Sequence, residues 1–165
     1  MKGDLDRLET WVGTLLARLQ PAARRHCIRH IARVLRRSQQ QRIAAQRDPG
    51  GQAFTPRKPR RRAPAKRLRE SAGRLRQRAM FGKLRTMRFL KMESDAQHLA
   101  IGFSGRTGRL ARVHQFGLTD RVVPGGPRGQ YPARQLLGLT EVDRQQIIDQ
   151  LLADLTRSLR KIQGL

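Results

Sequence analysis

His26 and His30 stand four residues apart in the run HCIRH, with Cys27 beside the first of them. On a helix that interval lets two imidazoles reach one zinc ion. The run lacks the glutamate that serves as general base in HExxH, and no third ligand stands at a useful spacing. The two histidines therefore read as ordinary helix-surface residues among arginines. Cys27 is the single cysteine, so it has no disulfide partner and no second thiol for a metal cluster. His114 is the other candidate for acid or base work. Its neighbours Gln115 and Phe116 supply neither a nucleophile nor an orienting carboxylate. A structural imidazole is expected there, donating to a backbone carbonyl and covering apolar surface at a turn made by Gly117. Gly102, Gly105 and Gly108 are not followed by Lys-Ser or Lys-Thr, so they read as turn residues and not as a phosphate loop. The sequence predicts no catalytic residue, no metal site and no cofactor.

The elements that must position these residues follow from hydrophobic periodicity. Leu5, Leu8, Val12, Leu15, Leu16 and Leu19 share one helical face, with Asp4, Asp6 and Glu9 near the helix start, where the dipole favours negative charge. Pro21 suits the first turn of a second helix. There Ile28, Ile31 and Leu35 form an apolar stripe opposite Arg25, Arg29, Arg33, Arg36 and Arg37. The two make a helical hairpin over residues 1–48, ended by Asp48, Pro49, Gly50 and Gly51. Leu84 to Met92 and His98 to Phe103 read as paired strands, and Gly108 to Phe116 as a short helix stopped at Gly117. Tyr131 to Leu139 reads as an edge strand, because Pro132 lacks a backbone donor. Thr140 with Asp143 resembles a capping box opening a C-terminal helix over residues 140–165. Its expected apolar face is Val142, Ile147, Ile148, Leu151, Leu152, Leu155, Leu159 and Ile162. The fold class is α+β, with helices on a small, mainly antiparallel sheet spanning residues 83–139.

Charge is the dominant compositional fact. The 165 residues carry 36 basic and 12 acidic side chains, a net +24, with only 4% aromatic residues. More than half of the excess lies between Arg57 and Lys91, where Glu70 is the one acid. Arg57, Lys58, Arg60, Arg61, Arg62, Lys66, Arg67 and Arg69 head this block, and Pro56, Pro59 and Pro64 interrupt regular structure in it. Self-repulsion predicts a basic extended arm over residues 49–82, and the block from Arg57 to Lys91 is expected to order only on assembly. Such a charge belongs beside something negative, either phosphate or acidic protein. Scarce aromatics argue against base stacking. No apolar run nears the roughly 20 residues of a membrane span, and the N-terminus has no signal-peptide core, so assembly in the cytoplasm is expected.

The stretch RTGRLARVHQFGLTDRVVPGGPRGQYPARQLLGLT, Arg106 to Thr140, resembles the virion morphogenesis or tail completion family of contractile-tailed bacteriophages. In that family an aRvHQfGl segment precedes a loop and then YPaRpLLGlt. The likeness extends to SQQQRIAAQRDPGGQAFTPRKPR at Ser38 to Arg60 and RAMFGKLRTMRFLK at Arg78 to Lys91, and departs from the family wording at Gln135. The resemblance implies a non-enzymatic structural virion protein that completes the head-proximal end of a tail and supports head-tail joining. It implies one tail-completion domain acting as a homo-oligomeric ring, a hexamer if it matches a sixfold tube. Its partners would be tail tube, sheath or neck connector proteins, with nonspecific contact to packaged DNA. On this reading Tyr131, Pro132, Arg134, Leu136 and Leu137 form a subunit or tube contact, positioned by Val113, His114, Gln115, Phe116 and Gly117. The rival reading is a free, nonspecific nucleic-acid-binding protein using the Arg-rich segment.

Overall fold

The structure is a computed structural model, and it describes residues 2–17, 19–57, 79–121 and 125–162. Among these the order is α1 (Lys2–Ala17), α2 (Pro21–Ala44), β1 (Lys91–Ser94), β2 (Leu99–Gly102), α3 (Gly105–Phe116), β3 (Thr119–Arg121), β4 (Arg128–Gln130) and α4 (Glu141–Ile162). The class is α+β. The expected single sheet is instead two separate two-stranded ones, β1 with β2 and β3 with β4. No helix among the described residues is long and apolar enough to cross a membrane.

The described chain forms two compact units, and α2 contributes residues 21–37 to one and 38–44 to the other. The first unit has a helical core of Leu19, Cys27, Ile28, Ile31, Leu35, Ile147 and Leu151, with Val12, Ala23, Ile101, Leu139 and Leu155 around it. The α2 stripe is the one its periodicity predicts. Side chains of Leu5, Leu8, Leu15, Leu16, Leu159 and Ile162 lie outside the described ones. Helix α4 starts as expected: the Thr140 amide donates to Asp143 Oδ2 at 2.9 Å, and the Asp143 amide donates to Thr140 Oγ1 at 3.0 Å. Those reciprocal bonds satisfy amides that the first helical turn leaves free. Two expected core positions of α4 face outward, Val142 at 66% and Leu152 at 48% exposure. Leu151 takes the buried place, so the apolar stripe is narrower than the apolar spelling.

Cys27 is buried against Asp154, whose carboxylate also accepts from Gln150 and from Arg157, each at 2.9 Å. Burial first, then the hydrogen bond to Asp154 and its charge, push the thiol up to about 12. It stays protonated at neutral pH and is a poor nucleophile.

The second unit has a core of Ile43, Phe54, Leu84, Ala111 and Leu136, with Met80, Phe81, Phe89, Phe103 and Leu137 packed on it. Two sequence expectations fail here. Leu84 to Met92 is not a strand until Lys91: residues 81–90 are successive turns, closed by bonds such as the Arg85 amide to Phe81 O and the Leu90 amide to Thr86 O. Leu84 and Leu90 are buried from those turns, an arrangement that spells like a strand because both bury apolar residues at even spacing. The basic arm likewise ends early. Phe54 and residues 79–91, parts of the segments expected to be extended or to order on assembly, instead pack into their own unit, residues 81–90 as turns. Arg57 is described and exposed, whereas Lys58, Arg60, Arg61, Arg62, Lys66, Arg67 and Arg69 lie outside the described residues.

Candidate functional site

The two matched segments meet in the second unit. Helix α3 ends at Gly117, whose φ of 64° is left-handed and whose amide donates to Val113 O. A Cβ on Gly117 would stand 3.0 Å from Ala133 N, so glycine serves both the turn and the close approach of the second segment. The Leu118 amide also donates to Val113 O, at 2.9 Å, and the Tyr131 amide donates to Leu118 O, at 3.2 Å. Strands β3 and β4 pair antiparallel between these points, Thr119 opposite Gln130 and Arg121 opposite Arg128.

The expected edge strand at Tyr131 to Leu139 is absent, and strand structure stops at Gln130. Glutamine and arginine side chains take the place of a neighbouring strand. Gln115 Oε1 accepts from the amides of Leu136 at 2.8 Å and Leu137 at 3.0 Å, and its Nε2 donates to Leu137 O at 2.9 Å. Gln39 donates through Nε2 to Gly138 O at 2.9 Å and accepts the Gly138 amide at 3.3 Å. Arg42 donates to Gln39 Oε1 and, at 3.2 Å, to Leu136 O. Gln46 performs the same service elsewhere in the unit, donating to Met80 O at 2.8 Å and accepting the Met80 amide at 2.6 Å. A primary amide presents a donor and an acceptor side by side, as a peptide group does, so each glutamine supplies one rung of a ladder without a strand.

Arg134 is the centre of the arrangement, at 5% exposure. Its Nε donates to Thr55 O at 2.7 Å, one terminal nitrogen to Pro56 O at 3.1 Å and the other to His114 Nδ1 at 3.1 Å. Its own amide donates to His114 O at 2.6 Å. The cation sits at the C-terminal end of α3, where unpaired helix carbonyls favour positive charge. Burial, then the nearby charge of Arg57, lowers its pKa. The same surroundings act on His114: burial first, then Arg134, then Arg57, bring its pKa down to about 4. The ring is thus neutral at pH 7 and accepts a hydrogen bond, where the sequence had suggested that it donates to a backbone carbonyl. Edge-to-face ring contacts link Phe54 to Phe81 at 5.8 Å, Phe81 to His114 at 4.8 Å and His114 to Tyr131 at 5.2 Å.

The residues expected to make an external contact divide into two sets. Leu136 is fully buried and Arg134 nearly so, both used within their own chain. Tyr131, Pro132 and Leu137 are half-buried. Among the residues expected to position that segment, Val113 is core, and His114, Gln115 and Gly117 touch the second segment. Phe116 is 65% exposed, beside the exposed Leu118. Sequence reasoning missed Gln39, Gln46, Thr55 and Pro56. Their signal was present only as the resemblance over Ser38 to Arg60. His26 is exposed while Cys27 is fully buried, so HCIRH does not converge on a point. Among the described residues no three His, Cys, Asp or Glu side chains gather as a metal site would require.

The chain matches the phage virion morphogenesis family over residues 3–156, and it belongs to that family. Along 155 residues, 93% of this chain and 99% of the relative, it is 37% identical to tail completion protein S of Escherichia phage P2. No solved structure matches it.

Proposed function

We propose that this protein is a structural component of a phage virion that completes the head-proximal end of the tail and supports head-tail joining, acting as a ring. The observation that carries the reading is the 37% identity, over nearly the whole of both chains, to a protein named for tail completion. The fastened segment fits such a role: a terminating subunit must present a fixed surface to a repeating tube, and bonds from Gln39, Gln115 and Arg134 immobilise main chain that no sheet holds. On this reading Tyr131, Pro132 and Leu137, joined by the exposed Phe116 and Leu118, face a neighbouring copy or the tube. Arg134 and Leu136 hold that surface from within.

The test is a phage carrying Phe116→Ser with Leu118→Ser, substitutions at exposed sites that should leave the melting temperature of the purified chain nearly unchanged. Electron microscopy of lysates is expected to reveal DNA-filled heads beside unjoined tails or tails with irregular ends, while genome replication proceeds. Normal yields of infectious particles would remove these residues from the contact. Arrested replication instead would favour the free nucleic-acid-binding reading.

A further inference from the structure

Helix α2 carries a surface that neither unit's core nor the fastened segment uses. Arg25, Arg29, Arg33 and Arg37 are exposed, and half-buried Arg36 lies among them. At 3.6 residues per turn the five fall within an arc of about 120°, opposite the stripe of Ile28, Ile31 and Leu35. The helix contains no acidic residue, so no acid within it neutralises the stripe. No ion pair among the described residues involves any of the five.

The occupant follows from what the face lacks. Protein interfaces rest on apolar or aromatic anchors at their centre. Among the described residues, none of the exposed large hydrophobics belongs to α2. A second copy of the chain is a poor occupant of this particular face, since it offers 12 acidic side chains against 36 basic ones. Nucleic-acid interfaces are polar and positively charged, and a phosphate backbone needs guanidinium groups but no apolar anchor. Spacing agrees: from residue 25 to residue 37 the stripe runs about 18 Å at 1.5 Å per residue, over which B-DNA presents roughly ten phosphates. We infer that the Arg25 to Arg37 face of α2 binds the phosphate backbone of duplex DNA without reading sequence. With no aromatic side chain on the stripe, stacking on bases has no platform. The inference concerns a different sequence segment from the Arg57 to Lys91 block, and it does not rest on tail completion, since it concerns binding by the purified chain.

Fluorescence anisotropy of the full chain on two unrelated duplexes of about 30 base pairs, over a salt series, provides the test. Equal affinity for both duplexes is expected. The variant R25Q/R29Q/R33Q/R37Q keeps good helix formers and should lower the slope of log affinity against log salt by about 3 to 4, near 0.9 for each lost phosphate contact. R25K/R29K/R33K/R37K should retain most of the slope. Should the fourfold Gln variant not fold, R29Q/R33Q serves in its place with a drop of about 2. An unchanged slope in a folded Gln variant overturns the inference. So does a variant that loses binding to polyglutamate while holding DNA as before, which would assign the face to an acidic protein.

Discussion

The first unit is held by side chains that prefer one another, the second by side chains that bond to backbone. Around Ile28, Ile31, Leu35, Ile147 and Leu151 the contacts are apolar and helix supplies its own hydrogen bonds. Around Leu136 the chain runs without regular structure, and its amides and carbonyls are matched by Gln39, Arg42 and Gln115. The difference teaches that substitutions should obey different rules. In the first unit volume and burial decide the cost. At the side chains that fasten the Leu136 segment the cost is that of leaving a peptide group unmatched, even where the replacement keeps the volume.

The largest contrast is within one helix turn. Leu151→Asp buries a carboxylate with no partner and is expected to cost more than about 4 kcal/mol, enough to abolish cooperative melting. Leu152→Asp, at a half-exposed site, should stay within roughly 0.5 kcal/mol, and equal losses for the two would refute the α4 orientation.

Next is Arg134. Replacing it with Met keeps much of the volume but strands Thr55 O and Pro56 O, with an expected loss of about 3 kcal/mol in urea unfolding. A volume-conserving swap in the first unit, Leu35→Met, should lose under about 1.5 kcal/mol. If the two variants unfold at the same urea concentration, the comparison between units fails.

Gln115→Met tests the same idea at a neutral group. The amides of Leu136 and Leu137 lose their acceptor, for about 2 kcal/mol, and their hydrogen exchange should quicken by more than the global loss of stability requires. Gln115→Glu keeps an acceptor for both amides but sets a carboxylate oxygen against Leu137 O in place of the donor, so exchange of the two amides should stay slower than in Gln115→Met.

The last test is one of pH. Folding lowers the His114 pKa from 6.5 to about 4, so on acidification the unfolded chain takes the proton first. The contribution is complete above about pH 6.5 and shrinks as pH falls toward 4. Melting temperatures of His114→Gln should therefore decline less over that interval than those of the unchanged chain. Parallel declines would mean that the ring is protonated in the folded protein as easily as in the unfolded one.

What the sequence made readable tracks the same division. Ile28, Ile31 and Leu35, the Thr140 and Asp143 cap, and the Gly117 stop are local signals, so each could be placed before any fold was known. Leu152 went astray because six consecutive turns of helix offer more apolar residues than one face can bury. Residues 84–90 and 131–139 were misread as strands because apolar spelling does not record how a backbone is satisfied, by local turns in the first and by distant side chains in the second. A glutamine at position 39 that serves a glycine at 138 has no periodicity to betray it. The two matched segments were singled out through family resemblance, and the buried state of Arg134 was not legible in them.

The contact between Arg134 and His114 has a consequence for the imidazole itself. A guanidinium has only donors, so Nδ1 must accept with its lone pair and the ring proton must reside on Nε2. In solution a neutral histidine exchanges between two tautomers; here one is selected by a residue twenty positions away. Nitrogen NMR of the folded chain should therefore give His114 one pyridine-like Nδ1 signal and one pyrrole-like Nε2 signal, unaveraged, as a spectroscopic marker that the two segments are joined.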